Sequence, residues 1–153
     1  MKTFGRIMEE RGGWFAFALA FAVSFLISPM HYNYTALIQG FPAIGLGVFG
    51  FMLTFVAIIL QSDNETIAYM KSKKDLFALF VGYNKRVVTT AAFLTAYTYV
   101  YPSITFPDIV TDCSIDIKEI ALRLSMSVYW ALLMKLAVDM YYFIRSFYIL
   151  LKK

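Results

Sequence analysis

The sequence predicts an all-α polytopic membrane protein, with four transmembrane helices and a cytoplasmic amphipathic helical hairpin in one domain over residues 1–153. Three observations predict it. The composition is 60% hydrophobic, 18% aromatic and 16% charged, and mean hydropathy is +0.65. A soluble globular domain is about 45–50% apolar and about 25% charged. The apolar excess falls in four blocks, each near the roughly 20 residues that carry a helix across a hydrocarbon core of about 30 Å. Basic residues also alternate from one connection to the next, as the positive-inside rule requires.

The first span covers 14–30, with Trp14 suited to a membrane–water interface. Lys2, Arg6 and Arg11 before it, and the apolar run after them, match the outline of a signal peptide. Ser28-Pro29-Met30 is a poor cleavage site, so the segment reads as an uncleaved anchor. The second span, 41–61, places Pro42 in its first turn, where a missing N–H is harmless. The third, 87–106, ends in Tyr97, Tyr99 and Tyr101, an interfacial girdle, and Pro102 and Pro107 punctuate its exit. The fourth, 122–151, is longer than the core is thick and must tilt or project into water.

Residues 62–86 are too many for a plain turn. Ser62-Asp63-Asn64-Glu65 has the spacing of a capping box, and apolar residues recur at Ile67, Met70, Leu76, Phe77 and Phe80. Asp75 is placed to cap a second short helix and Gly82 to end it. The pattern predicts a hairpin lying on the membrane surface or docked on neighbouring subunits.

Lys71, Lys73, Lys74, Lys85 and Arg86 lie in this stretch, and Arg145, Lys152 and Lys153 near the C-terminus. The connection 29–40 has no charge, and the one after Pro107 carries Asp108, Asp112 and Asp116. The expected address is therefore a bacterial inner membrane, crossed several times, with both termini cytoplasmic.

The chemistry available is narrow. One cysteine, Cys113, excludes an intrachain disulfide, and one histidine, His31, cannot complete a zinc site with it. No cofactor is expected. The outer aspartates have an oxygen-ligand character but lack the glycine of an EF-hand loop. Asn33 and Asn64 open glycosylation sequons, the second on the expected cytoplasmic side. No Ser/His/Asp, Cys/His, Walker or GxGxxG pattern occurs, so no enzyme is predicted.

Three features remain. Lys135 and Asp139 stand four residues apart on one face of the fourth span. A lone charge at mid-membrane costs roughly 2.5–3.5 kcal/mol on insertion scales. The pair either lines a wet pathway or neutralises itself between packed helices. Ala43, Gly47, Gly50 and Thr54, with Gly45 and Ala57, give the second span a small-residue face, for packing within the chain or across subunits. The cationic set Arg6, Arg11, Lys71, Lys73, Lys74, Lys85 and Arg86 either signals topology and attracts anionic lipid or binds a polyanion.

The Phe49-Gly50-Phe51-Met52-Leu53-Thr54 stretch, the polar exit Gln61-Ser62-Asp63 and the basic hairpin to Arg86 give a layout that covers most of the chain. It resembles the small four-span membrane components of bacterial anti-phage defence. It is most similar to the effector of Hailong-type systems, an oligomeric channel controlled by a nucleotide-derived signal, and next to the membrane sensor of Kiwa-type systems. No binding residue carries over one by one. The resemblance implies a homo-oligomer, with a tetramer favoured, and a cytosolic acidic ligand such as a nucleotide or oligonucleotide.

An oligomeric ion channel is thus the first expectation, with Lys135 and Asp139 contributing rings to a pore. The alternative is a non-conducting sensor or scaffold that recruits a cytosolic protein partner through the hairpin. A transporter ranks last, because the spans lack the interior prolines and broken helices of a midplane substrate site.

Overall fold

The computed structural model describes residues 4–27, 34–61, 65–72, 74–104 and 117–151. They form five α-helices: α1 Phe4–Leu26, α2 Tyr34–Gln61, α3 Glu65–Ser72, α4 Lys74–Val100 and α5 Ile117–Leu151. A 3-10 turn, Tyr101–Ser103, follows α4, and there is no strand among the described residues. Two segments, Ile38–Gln61 and Lys118–Tyr148, are long and apolar enough to cross a membrane, and Arg11–Leu26 is a shorter apolar helix.

The long helices alternate in direction. The packing order is α1 on α5, α5 on α4 and α4 on α2. Gly12 lies against Tyr142, so the start of α1 and the end of α5 share one end of the bundle. The loop end of α2 meets α4 and α5 at that same end, through the rings of Phe55, Phe80, Phe143 and Phe147. Phe55 lies 4.9 Å from Phe147 and 5.6 Å from Phe143, both edge-to-face, the arrangement that aromatic quadrupoles favour.

Each seam follows from sequence spacing. On α2 the buried positions Ile38, Gly45, Met52 and Ile59 recur every seventh residue, a narrow coiled-coil-like stripe. On α4 the stripe is Phe80, Tyr83, Val87, Ala91, Leu94 and Thr98. Asn84 Nδ2 donates to the Met52 carbonyl at 3.2 Å, a buried polar tie between the two helices. Tyr97, half-buried, donates its hydroxyl to the Ser125 carbonyl at 2.6 Å and ties α4 to α5.

Several boundaries differ from the sequence expectation: α1 ends at Leu26 rather than near 30, and α5 begins at Ile117 rather than near 122. α2 begins at Tyr34 rather than near 41, so Pro42 lies inside it. This removes the absence of interior prolines as an argument against a transporter. α4 runs unbroken through Gly82, so the second arm of the hairpin is the base of a long helix. A helical glycine costs only about 1 kcal/mol against alanine, and the stripe continuing from Phe80 to Val87 outweighs it. α4 stops at Val100, where Pro102 enters a 3-10 turn.

The small-residue face of α2 divides. Gly45 is buried, and a Cβ there would run into Thr95 Oγ1, so this glycine sets the close approach of α2 and α4. Gly47 and Gly50 have nothing near a Cβ position, and Ala43, Thr54 and Ala57 are exposed beside them. Gly45→Ala is therefore expected to destabilise the protein by about 1–3 kcal/mol through overpacking. Gly50→Ala should stabilise it by roughly 0.5–1 kcal/mol through helix propensity. Paired denaturation curves in detergent check both.

Candidate functional site

α5 carries the two sequence-singled residues into the interior. Lys135 is 7% and Asp139 4% exposed, an ion pair sealed inside an otherwise apolar stretch. Lys135 Nζ donates to Asp139 Oδ2 at 2.6 Å and to Thr90 Oγ1 of α4 at 2.8 Å. It also lies 5.2 Å from the ring centroid of Trp14 on α1, a cation–π contact. An ammonium has three N–H donors. Two of the three are used in hydrogen bonds to Asp139 and Thr90, and the Trp14 ring face lies beside the charge.

On its other side the Asp139 carboxylate abuts α1 at Gly13. A Cβ on Gly13 would strike its carboxylate, and one on Gly12 would meet the Tyr142 ring at 2.8 Å. The Gly12-Gly13 step lets α1 close directly over the ion pair. Three helices thus share the enclosure: α5 supplies both charges, α4 the hydroxyl, and α1 the ring and the glycine cover.

An open cleft of about 450 Å³ lies beside the pair, between α1 and α4 on the face of α5. Its walls are mainly apolar, with Trp14, Phe17, Phe93 and Leu132 prominent, and Lys135 reaches its floor. Lys85 and Arg86 stand at its end nearest the start of α4. Thr90 is four residues, or about 6 Å, beyond Arg86 along α4. The Lys135 head is therefore held about one helical turn from that basic end.

The rest of the expected cationic set is divided. Lys71 donates to the Leu60 carbonyl at 2.9 Å, which caps the last turn of α2 and opposes its dipole. Arg86 stacks over the Tyr83 ring at 5.6 Å. Arg11 and Lys85 are exposed. Lys73, and the side chains of Arg6 and Lys74, lie outside the described residues, as do Cys113, His31, Asn33, Asn64 and the outer aspartates. Of the set, the structure brings Lys85 and Arg86 to one cleft with Lys135.

Sequence reasoning missed Thr90, Gly13 and the contact of the largely exposed Trp14 ring with Lys135. Thr90 has no local signature. Gly12-Gly13 does, because adjacent glycines inside a helix are costly unless another chain segment must approach. Among the described residues no three of His, Cys, Asp and Glu gather where they would hold a metal ion.

Compared with known proteins, the chain matches no family model, and neither a curated protein nor a solved structure matches it.

Proposed function

We propose that this chain is a four-span inner-membrane protein that assembles into a homo-oligomeric, tetrameric ion channel, opened by a cytosolic nucleotide or oligonucleotide. The setting in keeping with its layout is bacterial anti-phage defence, where such a channel depolarises the cell. The observation that carries the reading is the Lys135–Asp139 pair, held inside an apolar helix at the floor of an open cleft. Ionisable groups kept within a span mark conduction or coupling pathways by default.

Supporting observations concern solvent and assembly. Only 17% of the most apolar window of Ile38–Gln61, and 33% of that in Lys118–Tyr148, is buried inside the protein. The core helix of a soluble protein would be mostly buried, so these faces call for lipid or further protein. Trp14, Leu19, Leu26, Phe51 and Phe93 are each more than 60% exposed, on three different helices. The open Gly47 and Gly50 face of α2 suits close approach by a second copy. Exposed Arg11 puts positive charge near the start of α1, which suits a cytosolic anion.

The test is conduction in a planar bilayer by purified protein, before and after the double substitution Lys135→Leu with Asp139→Ala. The expected result is altered unitary conductance with the oligomer intact by native mass spectrometry. Unaltered currents would remove the pair from the pathway, and no current under any anion would remove the channel.

A second reading has its own observation. Lys135 finds its ion pair, its hydroxyl partner and its ring face within one protomer, as a purely structural pair would. A non-conducting sensor or scaffold then follows, and liposomes containing it stay tight. Neutralising Lys71, Lys73 and Lys74 should abolish capture of its cytosolic partner.

A further inference from the structure

The grooves beside α5 differ in one respect that the channel reading leaves unused. One runs along Leu19, Val23, Ile27, Trp130 and Met134 and contains no charge. The other is the cleft between α1 and α4, which has the cations Lys85 and Arg86 at its end nearest the start of α4. From Arg86 to Phe93 is seven residues, or about 10 Å along α4, so the cationic end and the aromatic walls form one continuous track. The sole charge deeper in the cleft is Lys135, which is already ion-paired with Asp139 and hydrogen-bonded to Thr90.

We propose that this cleft binds one anionic phospholipid of the cytoplasmic leaflet, its phosphate on Lys85 and Arg86 and an acyl chain against Phe17 and Phe93. This rests on the membrane-spanning reading above but not on conduction. The volume of about 450 Å³ lies within the usual range of small-ligand sites, about 300–1,000 Å³. Charge complementarity selects the headgroup, since basic pockets between spans on the cytoplasmic side suit anionic headgroups. The interior selects hydrocarbon. A nucleotide base and ribose placed among Phe17, Phe93 and Trp14 would lose hydrogen bonds to water and regain few, at a cost for each unpaired group. Trp14 and Phe93 are themselves well exposed, so the cleft opens sideways toward lipid.

The chain has 2 tryptophans, and one borders each groove, which supplies the readout. Trp130→Phe leaves Trp14 to report the basic cleft, and Trp14→Phe leaves Trp130 to report the uncharged groove. Each variant is reconstituted in phosphatidylcholine vesicles doped with dibrominated phosphatidylglycerol or with dibrominated phosphatidylcholine of the same chains. Trp14 should be quenched by the anionic lipid at a dose roughly thirtyfold lower than by the zwitterionic one, as two cations at a headgroup imply. Trp130 should respond equally to both. Lys85→Gln with Arg86→Gln should erase the Trp14 preference. Equal quenching at Trp14, or a preference that survives the double substitution, overturns the lipid site. So does loss of the preference on adding millimolar inorganic phosphate or ATP, which would assign the cations to a soluble anion. Flotation keeps the two ideas apart: protein that fails to float with the vesicles overturns the membrane reading itself, whereas floating protein without headgroup preference overturns the lipid site alone.

Discussion

Asp139→Ala lowers the unfolding free energy by about 3–5 kcal/mol, the cost of leaving one member of a buried ion pair without its partner. The substitution leaves the Lys135 ammonium with one hydroxyl and one ring face in a site that is 7% exposed. Neither contact carries a compensating charge. Adding Lys135→Leu to Asp139→Ala should recover most of the loss, because exchanging a whole buried pair for apolar groups is often near neutral. Reversible unfolding in mixed micelles measures all three proteins. A loss below about 1 kcal/mol for Asp139→Ala would mean that the ammonium escapes along the cleft toward Lys85 and Arg86 and regains water. Failure of the double variant to recover would mean that the carboxylate is needed for something other than Lys135, with the Gly13 contact as the first suspect.

Much of this arrangement was legible in the sequence. Two of the four apolar blocks became helices long and apolar enough to cross a membrane, within Ile38–Gln61 and Lys118–Tyr148, and i, i+4 spacing was enough to pair Lys135 with Asp139. Lys71 was legible only as a cation, since its bond to the Leu60 carbonyl joins positions eleven residues apart. The end of the hairpin was misplaced because Gly82 looks like a stop when read locally. The stripe from Phe80 to Thr98 shows that tertiary packing overrides it. The order of the helices could not be read, because apolar faces of similar composition do not name their partners. Gly13 is marked by the adjacent Gly12, but Gly45, which also sets a close approach, looks no different in sequence from Gly47 and Gly50, which meet nothing. Only the neighbour across the gap distinguishes them.

That distinction yields the second large effect. Gly13→Val places a branched side chain where the Asp139 carboxylate sits. Overpacking of this kind costs about 1–3 kcal/mol by itself. Here it also pushes at the ion pair, so α1 should lift from α5 rather than compress against it. The expected signs are a lower melting temperature, a shift in Trp14 emission as its ring leaves Lys135, and proteolysis of α1 at lower protease. Gly47→Val is the matched comparison, because open space surrounds that position, and its effect on the protomer should stay within about 0.5 kcal/mol. The same pair of variants separates the two functional readings. If α1 is the cover that keeps Lys135 and Asp139 from a conducting path, lifting it with Gly13→Val raises basal ion flux even as the protein weakens. If the pair only holds helices together, stability falls and liposomes remain tight. Gly47→Val then matters in the opposite sense, because loss of assembly without loss of protomer stability would place the open face of α2 between copies of the chain.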